Sequence, residues 1–181
     1  MPNDVDGNYV SQRDAVAAWA PVAREAMLTT ASRYREVITY KELAAQVHET
    51  SGITTTQRLD YWIGGLLENV AIMSKECGEP PLTSLCVHQD GTIGPGYARA
   101  PKLTVNDDPD ADVDDLAAHH RLLCYRAYAA DLPTDGGVAA HTPQVAAARA
   151  RRKHSEPAAP GPICPMHFME LSATGVCAIC E

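Results

Sequence analysis

The chain of 181 residues lacks three features that would assign it to a broad class of proteins. No apolar run approaches the roughly 18 residues that cross a membrane, so no membrane partner is predicted. The first residues, MPNDVDGNYVSQRD, lack the basic and then apolar layout of a signal peptide. Basic residues are not in excess either, because 15 Lys and Arg stand against 23 Asp and Glu, for a net charge of -8. We therefore expect a cytoplasmic protein with reduced thiols and without strong non-specific affinity for phosphate.

Cysteine and histidine cluster near the C-terminus. Three of the six cysteines lie in the motifs Cys164-Pro-Met-His167 and Cys177-Ala-Ile-Cys180, which nine residues separate. Three thiolates and one imidazole form a tetrahedral set that zinc prefers, and a stretch this short needs such a support to fold. We predict one structural Zn²⁺ ion bound by these four residues. The tail resembles short zinc-ribbon or zinc-knuckle modules in its ligand spacing, with His167 where a ribbon often has Cys.

The rest of the chain predicts an α+β protein. Apolar residues at three- and four-residue intervals indicate amphipathic helices, and β-branched or alternating runs indicate short strands. Ser11 is a predicted helix N-cap, as is Thr55 or Thr56, and Asp90-Gly91 is a predicted hairpin turn. The expected elements are helix 12–33, strand 36–40, helix 41–47, helix 57–76, strand 82–88, strand 93–97, helix 113–130 and a short helix at 143–153.

This order of elements is that of a helix-turn-helix followed by a β-wing, so we expect a winged-helix-like core with an added helix, a flexible linker and a C-terminal zinc knuckle. The predicted parts are a disordered N-terminus at 1–10, the winged-helix-like domain at 11–105, an acidic run and added helix at 106–131, a linker with a basic run at 132–163, and the zinc knuckle at 164–181.

Three segments between residues 37 and 97 resemble one known family, the alkylguanine-DNA alkyltransferases and the alkyltransferase-like proteins. Residues 37–44, VITYKELA, are similar to its V-x-T-Y-G-x-I-A segment. Residues 63–67, IGGLL, are similar to V-G-x-A-L, and residues 90–97, DGTIGPGY, to D-G-x-x-G-G-Y. The resemblance implies the winged-helix C-terminal domain of that family and DNA as the partner.

The reactive P-C-H-R motif of that family is absent. Counting back from Gly91 places Thr83 where the family has its reactive Cys, and Thr83 offers no thiolate to accept an alkyl group. The Arg that opens the family's R-A-V-G segment falls near Tyr61, with Arg58 one turn earlier. The resemblance therefore implies DNA binding without alkyl transfer, as in the non-reactive relatives that bind a lesion without repairing it.

The start of the 57–76 helix is the predicted DNA contact, because a recognition helix enters the major groove with its N-terminal residues leading. Hydroxyl groups suit phosphate, and a Gln amide or a guanidinium reaches a base edge. The wing and the dense basic run at 149–153 would add contacts. The predicted DNA-binding residues are Thr55, Thr56, Gln57, Arg58, Tyr61, His88, Arg99, Arg149, Arg151, Arg152 and Lys153.

Two other functions stay open beside the leading prediction of a non-catalytic DNA-binding protein. A protein-binding adaptor would engage transcription or DNA-processing machinery through the acidic surface and the zinc knuckle. An enzyme would use Cys86 with His88, which share one strand face. Residues two apart seldom hydrogen-bond and no orienting acid is evident, so no catalytic residue is assigned.

Overall fold

A computed structural model describes residues 1–99, 112–155, 162–169, 171–172 and 175–180, with residues 98, 99 and 155 described by their backbone alone. The described part is mixed α+β, as predicted. The chain divides into an N-terminal unit, Met1–Ala146, and a C-terminal unit, Ala147–Glu181. The elements are β1 (Pro2–Asn3), α1 (Gln12–Ala31), β2 (Ile38–Thr39), α2 (Tyr40–Ser51), β3 (Thr54–Thr55), a 3-10 helix (Leu59–Tyr61), α3 (Ile63–Glu76), a 3-10 helix (Leu82–Leu85), β4 (Cys86–Val87), a 3-10 helix (Pro95–Arg99), α4 (Val113–Tyr128) and α5 (Pro143–Ser155).

The core of the N-terminal unit lies between α1, α2 and α3. Trp19 and Met27 of α1 and Leu66 of α3 have no exposed surface, as their helical spacing predicts. The Trp19 ring lies 4.6 Å from the Trp62 ring, and its Nε1–H donates to the Ile53 carbonyl at 3.0 Å. Burying each such side chain stabilises the fold by about 1.5–3 kcal/mol, so the three helices form one packed body.

Side-chain caps fix where the first two helices begin. The Ser11 hydroxyl accepts from the Asp14 amide at 3.1 Å, which confirms the predicted N-cap of α1. Thr39 and Glu42 form a capping box at the start of α2, with the Thr39 amide donating to the Glu42 carboxylate at 2.8 Å. α2 therefore begins directly after β2, without an intervening loop. Gly52 ends α2 at a φ of 70°, a conformation that glycine adopts without strain.

The N-terminus differs from the prediction that residues 1–10 are disordered. Pro2–Asn3 pairs antiparallel with Thr54–Thr55, and the Val10 amide donates to the Pro2 carbonyl at 3.0 Å. Asp4 closes the turn between Pro2 and Val10, because its carboxylate accepts from the Asn8 amide at 2.8 Å. The pairing of β1 with β3 joins segments about fifty residues apart in sequence, which a local pattern does not reveal.

The predicted wing hairpin is wrong. Residues 82–88 begin as a fully buried 3-10 helix, and β4 pairs in parallel with β2 at the register Ile38 to Cys86. The turn at Gly91 forms, with the His88 amide donating to the Thr92 carbonyl at 2.9 Å. The return strand does not form, because Pro95 has no N–H to donate and its glycine neighbours weaken a strand. Pro95–Arg99 is a 3-10 helix instead.

The long helix predicted at 57–76 begins six residues later. Leu59–Tyr61 is a 3-10 turn, and Trp62 leaves helical geometry at a φ of -126° before α3 starts at Ile63. The Trp62 ring packs on Trp19 and His48, which explains why the chain bends here. Neither Thr55 nor Thr56 caps α3, so that prediction is also wrong.

The segment predicted as a flexible linker at 132–163 is attached to the N-terminal unit over its first part. The Arg126 guanidinium of α4 donates to the Gly136 carbonyl at 2.9 Å, and Thr142 is buried with its hydroxyl donating to the Gly91 carbonyl at 2.9 Å. α4 itself is capped by Asp112, whereas the acidic residues 107–111 lie outside the described residues. The predicted short helix at 143–153 is α5. No helix of the described residues combines the length and apolarity that a membrane crossing needs.

Candidate metal centre and nucleic-acid interface

Four side chains of the C-terminal unit converge, and their ligand atoms all lie within 4.8 Å of one another. The Cys180 Sγ lies 3.6 Å from the Cys164 Sγ and 3.3 Å from the His167 Nδ1, and the Cys177 Sγ lies 3.7 Å from that nitrogen. Around a tetrahedral zinc ion, two sulfurs lie about 3.8 Å apart, and a sulfur and a nitrogen about 3.5 Å apart. The four residues are positioned to bind one metal ion, and their spacing is compatible with a single structural zinc.

Short backbone turns bring the ligands together. The Phe168 amide donates to the Cys164 carbonyl at 2.8 Å, and the Cys164 amide donates to the Met169 carbonyl at 2.8 Å. The Cys180 amide donates to the Cys177 carbonyl at 3.1 Å. Each motif is therefore a tight turn that presents two ligands on one side, which the two-residue gap predicts.

Two cysteine thiols of this cluster, those of Cys164 and Cys180, have pKa values shifted in opposite directions. The backbone amides of His167 and Met166 lower the pKa of Cys164 to about 6. The neighbouring sulfurs of Cys164 and Cys177 raise the pKa of Cys180 to about 11. Several thiolates in so small a volume repel one another, and a divalent cation offsets that repulsion and favours their deprotonated form.

The predicted DNA contacts ahead of α3 differ in exposure. Thr55 lies in β3, where its hydroxyl accepts from the Gln57 amide at 3.2 Å, and Thr56 is exposed. The Arg58 side chain and Tyr61 are each 76% exposed. The Arg58 guanidinium lies 5.8 Å from the centre of the Tyr61 ring. A cation and an aromatic ring therefore stand together at the surface just before α3.

A cavity of about 790 Å³ opens beside this point. Its volume falls in the range of about 300–1,000 Å³ that is usual for small-ligand sites. The rings of Tyr40 and His88 both line it, with their centres 4.5 Å apart. Arg58 lines this cavity and also a second one of about 410 Å³, to which Gln57 and Tyr61 contribute. The structure thus brings together four of the predicted contacts, Gln57, Arg58, Tyr61 and His88.

Contacts with α4 and α2 hold the cavity wall that runs from Ile93 to Tyr97. The Asp114 carboxylate accepts from the Ile93 amide at 2.8 Å, and the Tyr97 hydroxyl lies 2.6 Å from the His120 Nδ1. The Gly94 backbone approaches the Tyr40 hydroxyl so closely that a side chain there would clash. Burial raises the pKa of Tyr40 to about 12, so its hydroxyl stays protonated at neutral pH. The wall is fixed by packing rather than by a β-hairpin.

Charges of both signs lie at the mouth of the cavity. The Arg58 guanidinium donates to the Asp60 carboxylate at 2.7 Å, and both side chains are exposed. Glu68 also lines the cavity. A phosphate group would compete with Asp60 for Arg58, so these carboxylates oppose binding of an anion at this place.

Thr83 and Cys86 bear on the question of catalysis. Thr83 is 5% exposed and lines the cavity, so a residue with a hydroxyl group, not a thiol, lies in the cavity wall at this position. Cys86 has no exposed surface, and burial raises the pKa of its thiol far above the ordinary range. A thiol held protonated inside the core is not a nucleophile, so the described geometry does not favour an enzyme that uses Cys86 with His88.

The remaining predicted contacts lie elsewhere. Arg149, Arg151, Arg152 and Lys153 all lie on α5 within the C-terminal unit, and the last three are exposed. Arg99 is described by its backbone alone, as the last residue of a 3-10 helix. The structure therefore divides the eleven predicted contacts between the two units of the chain.

Sequence reasoning missed Tyr40, Asp60 and Glu68 as cavity residues. Tyr40 lies in residues 37–44, which carry part of the family resemblance, so the sequence could have indicated it as a site residue. Nothing in the local sequence marks Asp60 or Glu68, which are charged residues of an ordinary kind. Searches against models of protein families, curated proteins and solved structures find no match for this chain.

Proposed function

We propose that this chain is a non-catalytic DNA-binding protein that contacts DNA through the residues before α3 and the adjoining cavity. One observation carries the proposal: exposed Arg58 lines both the cavity that Tyr40 and His88 line and the second cavity, which exposed Tyr61 lines. Phosphate contacts from Arg position a protein on DNA, and aromatic rings hold a base that has left the stack. Arg58 would bind phosphate, Tyr61 would stack on an exposed base, and the cavity would receive the unstacked base.

β2, α2 and α3 follow one another in the order that the family resemblance implies. In that family the second of the two helices, which corresponds to α3 here, reads DNA. Gly64 and Gly65 in the first turn of α3 are exposed and have open space around them. Small residues at this point allow a nucleic-acid backbone to approach the helix closely. Thr83, in place of a reactive cysteine, gives the site no acceptor for an alkyl group, so binding without chemistry is the proposed outcome.

The ion that the four ligands of the C-terminal unit would bind is, in this proposal, a structural zinc. Three sulfurs and one imidazole nitrogen complete a four-coordinate set and leave no position for water or substrate. Arg151, Arg152 and Lys153 of α5 would supply phosphate contacts in addition to that of Arg58.

Fluorescence anisotropy of labelled duplexes at low salt tests the proposal. Arg58→Ala removes a phosphate contact, so we expect affinity to fall by about tenfold and the salt dependence to weaken by about one ion. Asp60→Asn removes the carboxylate that pairs with Arg58, so it should tighten binding. Opposite effects at neighbouring exposed positions would not arise from a change in folding.

Arg13→Ala is the matched control, because Arg13 is a 95% exposed cation on α1. It should leave affinity nearly unchanged. The assay includes intact duplex, single-stranded DNA and duplex with an alkylated base. No binding to any of the three, or equal losses from Arg58→Ala and Arg13→Ala, would refute the proposal.

A further inference from the structure

The C-terminal unit exposes an unusual share of large apolar side chains. Thirteen such side chains are exposed in the described part of the chain, and six of them lie between residues 163 and 179. Lone exposed apolar residues are ordinary, but this concentration in one short segment is typical of an interaction surface. The six are Ile163, Met166, Phe168, Met169, Val176 and Ile179.

The metal ligands fix where these side chains lie. Met166 stands between the ligands Cys164 and His167, and Phe168 directly follows His167. Met166 is 76% exposed and Phe168 is 82% exposed. The turns that bring the sulfurs inward therefore direct the residues between them outward. A bound ion would hold this apolar set in one arrangement before any partner arrives.

The backbone at Phe168 indicates that its exposure is built into the turn. Its φ is 52°, in the left-handed region that bulky L-residues seldom adopt, and its amide is held by the Cys164 carbonyl at 2.8 Å. A residue kept in such a conformation beside a candidate site favours a functional role for its side chain. Phe168 is also the one phenylalanine of the chain, so its substitution removes a unique group.

A basic segment lies close to the apolar set in the chain. Arg151, Arg152 and Lys153 are consecutive, exposed residues of α5. Pro162 follows Ser155 by seven positions, which a chain spans over at most about 25 Å when fully extended. A partner segment of ordinary peptide length can therefore touch both the cations and the apolar side chains.

We propose that the apolar side chains around the metal site, together with the cations of α5, form a docking surface for an amphipathic segment of a partner protein that carries apolar anchors and acidic residues. Five of the six exposed side chains are aliphatic or thioether groups, which suit a protein surface and offer no ring for base stacking. Acidic residues beside the anchors would complement Arg151 and Lys153. This inference goes beyond DNA binding and does not depend on it.

Selection from a phage-displayed library of random peptides on the full, zinc-loaded chain tests the proposal. The double variant Phe168→Ala, Met166→Ala serves for counter-selection, which removes peptides that do not need these side chains. Neither residue is a metal ligand, and the zinc content of the variant is measured alongside. We expect the enriched peptides to share apolar anchors flanked by Asp or Glu. A synthetic peptide of the enriched sequence should bind the variant about tenfold more weakly, or worse.

Charge reversal on α5 tests the contribution of the cations separately from that of the apolar side chains. Arg151→Glu with Lys153→Glu should weaken binding of the same peptide and remove most of its salt dependence. The proposal is overturned if no peptide is enriched, if the enriched peptides are basic, or if wild type and the Phe168 and Met166 variant bind them equally. It is also overturned if an oligo-dT strand alone binds and Phe168→Ala abolishes that binding, because the surface would then serve nucleic acid.

Discussion

Removal of the metal ion should change the number of reactive thiols in a way that the structure fixes in advance. Three of the six cysteines are ligands of the candidate metal site, and Cys86 and Cys124 are buried. Burial raises the pKa of Cys124 to about 12, so its thiol stays protonated at neutral pH. Cys77, at the end of α3, is exposed. Zinc-loaded protein should therefore show one fast thiol, and chelated protein four.

Few contacts other than the metal ligands hold the metal-binding segment, the described residues between 162 and 180, in its folded form. Among its described residues, only Cys164 and Cys177 are buried, and both are ligands. Structural zinc sites of this kind gain about 10–16 kcal/mol from the ion at neutral pH, far more than so few buried atoms supply. Chelation should therefore unfold this segment completely. Trp19 and Trp62 lie in the core of the N-terminal unit, so their fluorescence should not change.

Ellman's reagent measures the number of reactive thiols in zinc-loaded protein, in chelated protein and, after denaturant is added, in the unfolded chain with its six cysteines. Zinc released in the second step is measured with a chromogenic chelator, and about one ion per chain is expected. Cys177→Ser with Cys180→Ser should abolish the release, whereas Cys77→Ser should lower each thiol count by one and leave zinc unchanged. Four rapidly reacting thiols in zinc-loaded protein would contradict this prediction, as would a shift on chelation in the urea midpoint followed by tryptophan fluorescence.

Three further outcomes follow from the N-terminal unit. Glu79→Ala removes the more buried of the two carboxylates that pair with the Arg24 guanidinium and leaves only the exposed Glu25. It should cost about 2 kcal/mol in urea unfolding, against under about 1 kcal/mol for Glu36→Ala at an exposed pair; equal losses would contradict this. Thr39→Ala removes the cap of α2 and should cost about 1 kcal/mol, while Thr39→Ser keeps the hydroxyl and should cost little. Burial lowers the pKa of His48, so protons bind the unfolded chain more readily below about pH 6.5 and acid should reduce stability. His48→Phe should lose less stability between about pH 7 and pH 5, and an identical loss would exclude this cause.

Local patterns in the sequence predicted the features that depend on near neighbours. The capping interaction of Ser11 with Asp14 spans three residues, and the apolar spacing of α1 spans single turns. The metal ligands are also predictable, because each pair is close in sequence and the chemistry of three thiols with an imidazole is specific. These features need no knowledge of which distant segments meet.

Long-range contacts account for what the sequence did not reveal. β4 pairs in parallel with β2 because Cys86 and Val87 are buried on the core, whereas the local Asp-Gly turn favoured a hairpin with residues 93–97. α3 begins late because Trp62 packs on Trp19, a residue of α1. In the candidate site, Arg58 and Tyr61 were predictable from their place before a helix. That Arg58 lines one cavity with Tyr40 and His88 depends on the same distant packing.

Hydrogen–deuterium exchange of the full chain, with and without saturating duplex DNA, tests the proposed DNA contact most directly. Amides of residues 57–68 and 88–97, which surround the cavity, should become protected, and those of α1 should not change. Arg58→Ala at equal occupancy should reduce the protection of the first segment. Protection confined to α5, or no protection in either cavity segment at confirmed saturation, would contradict the proposal that DNA binds at the start of α3.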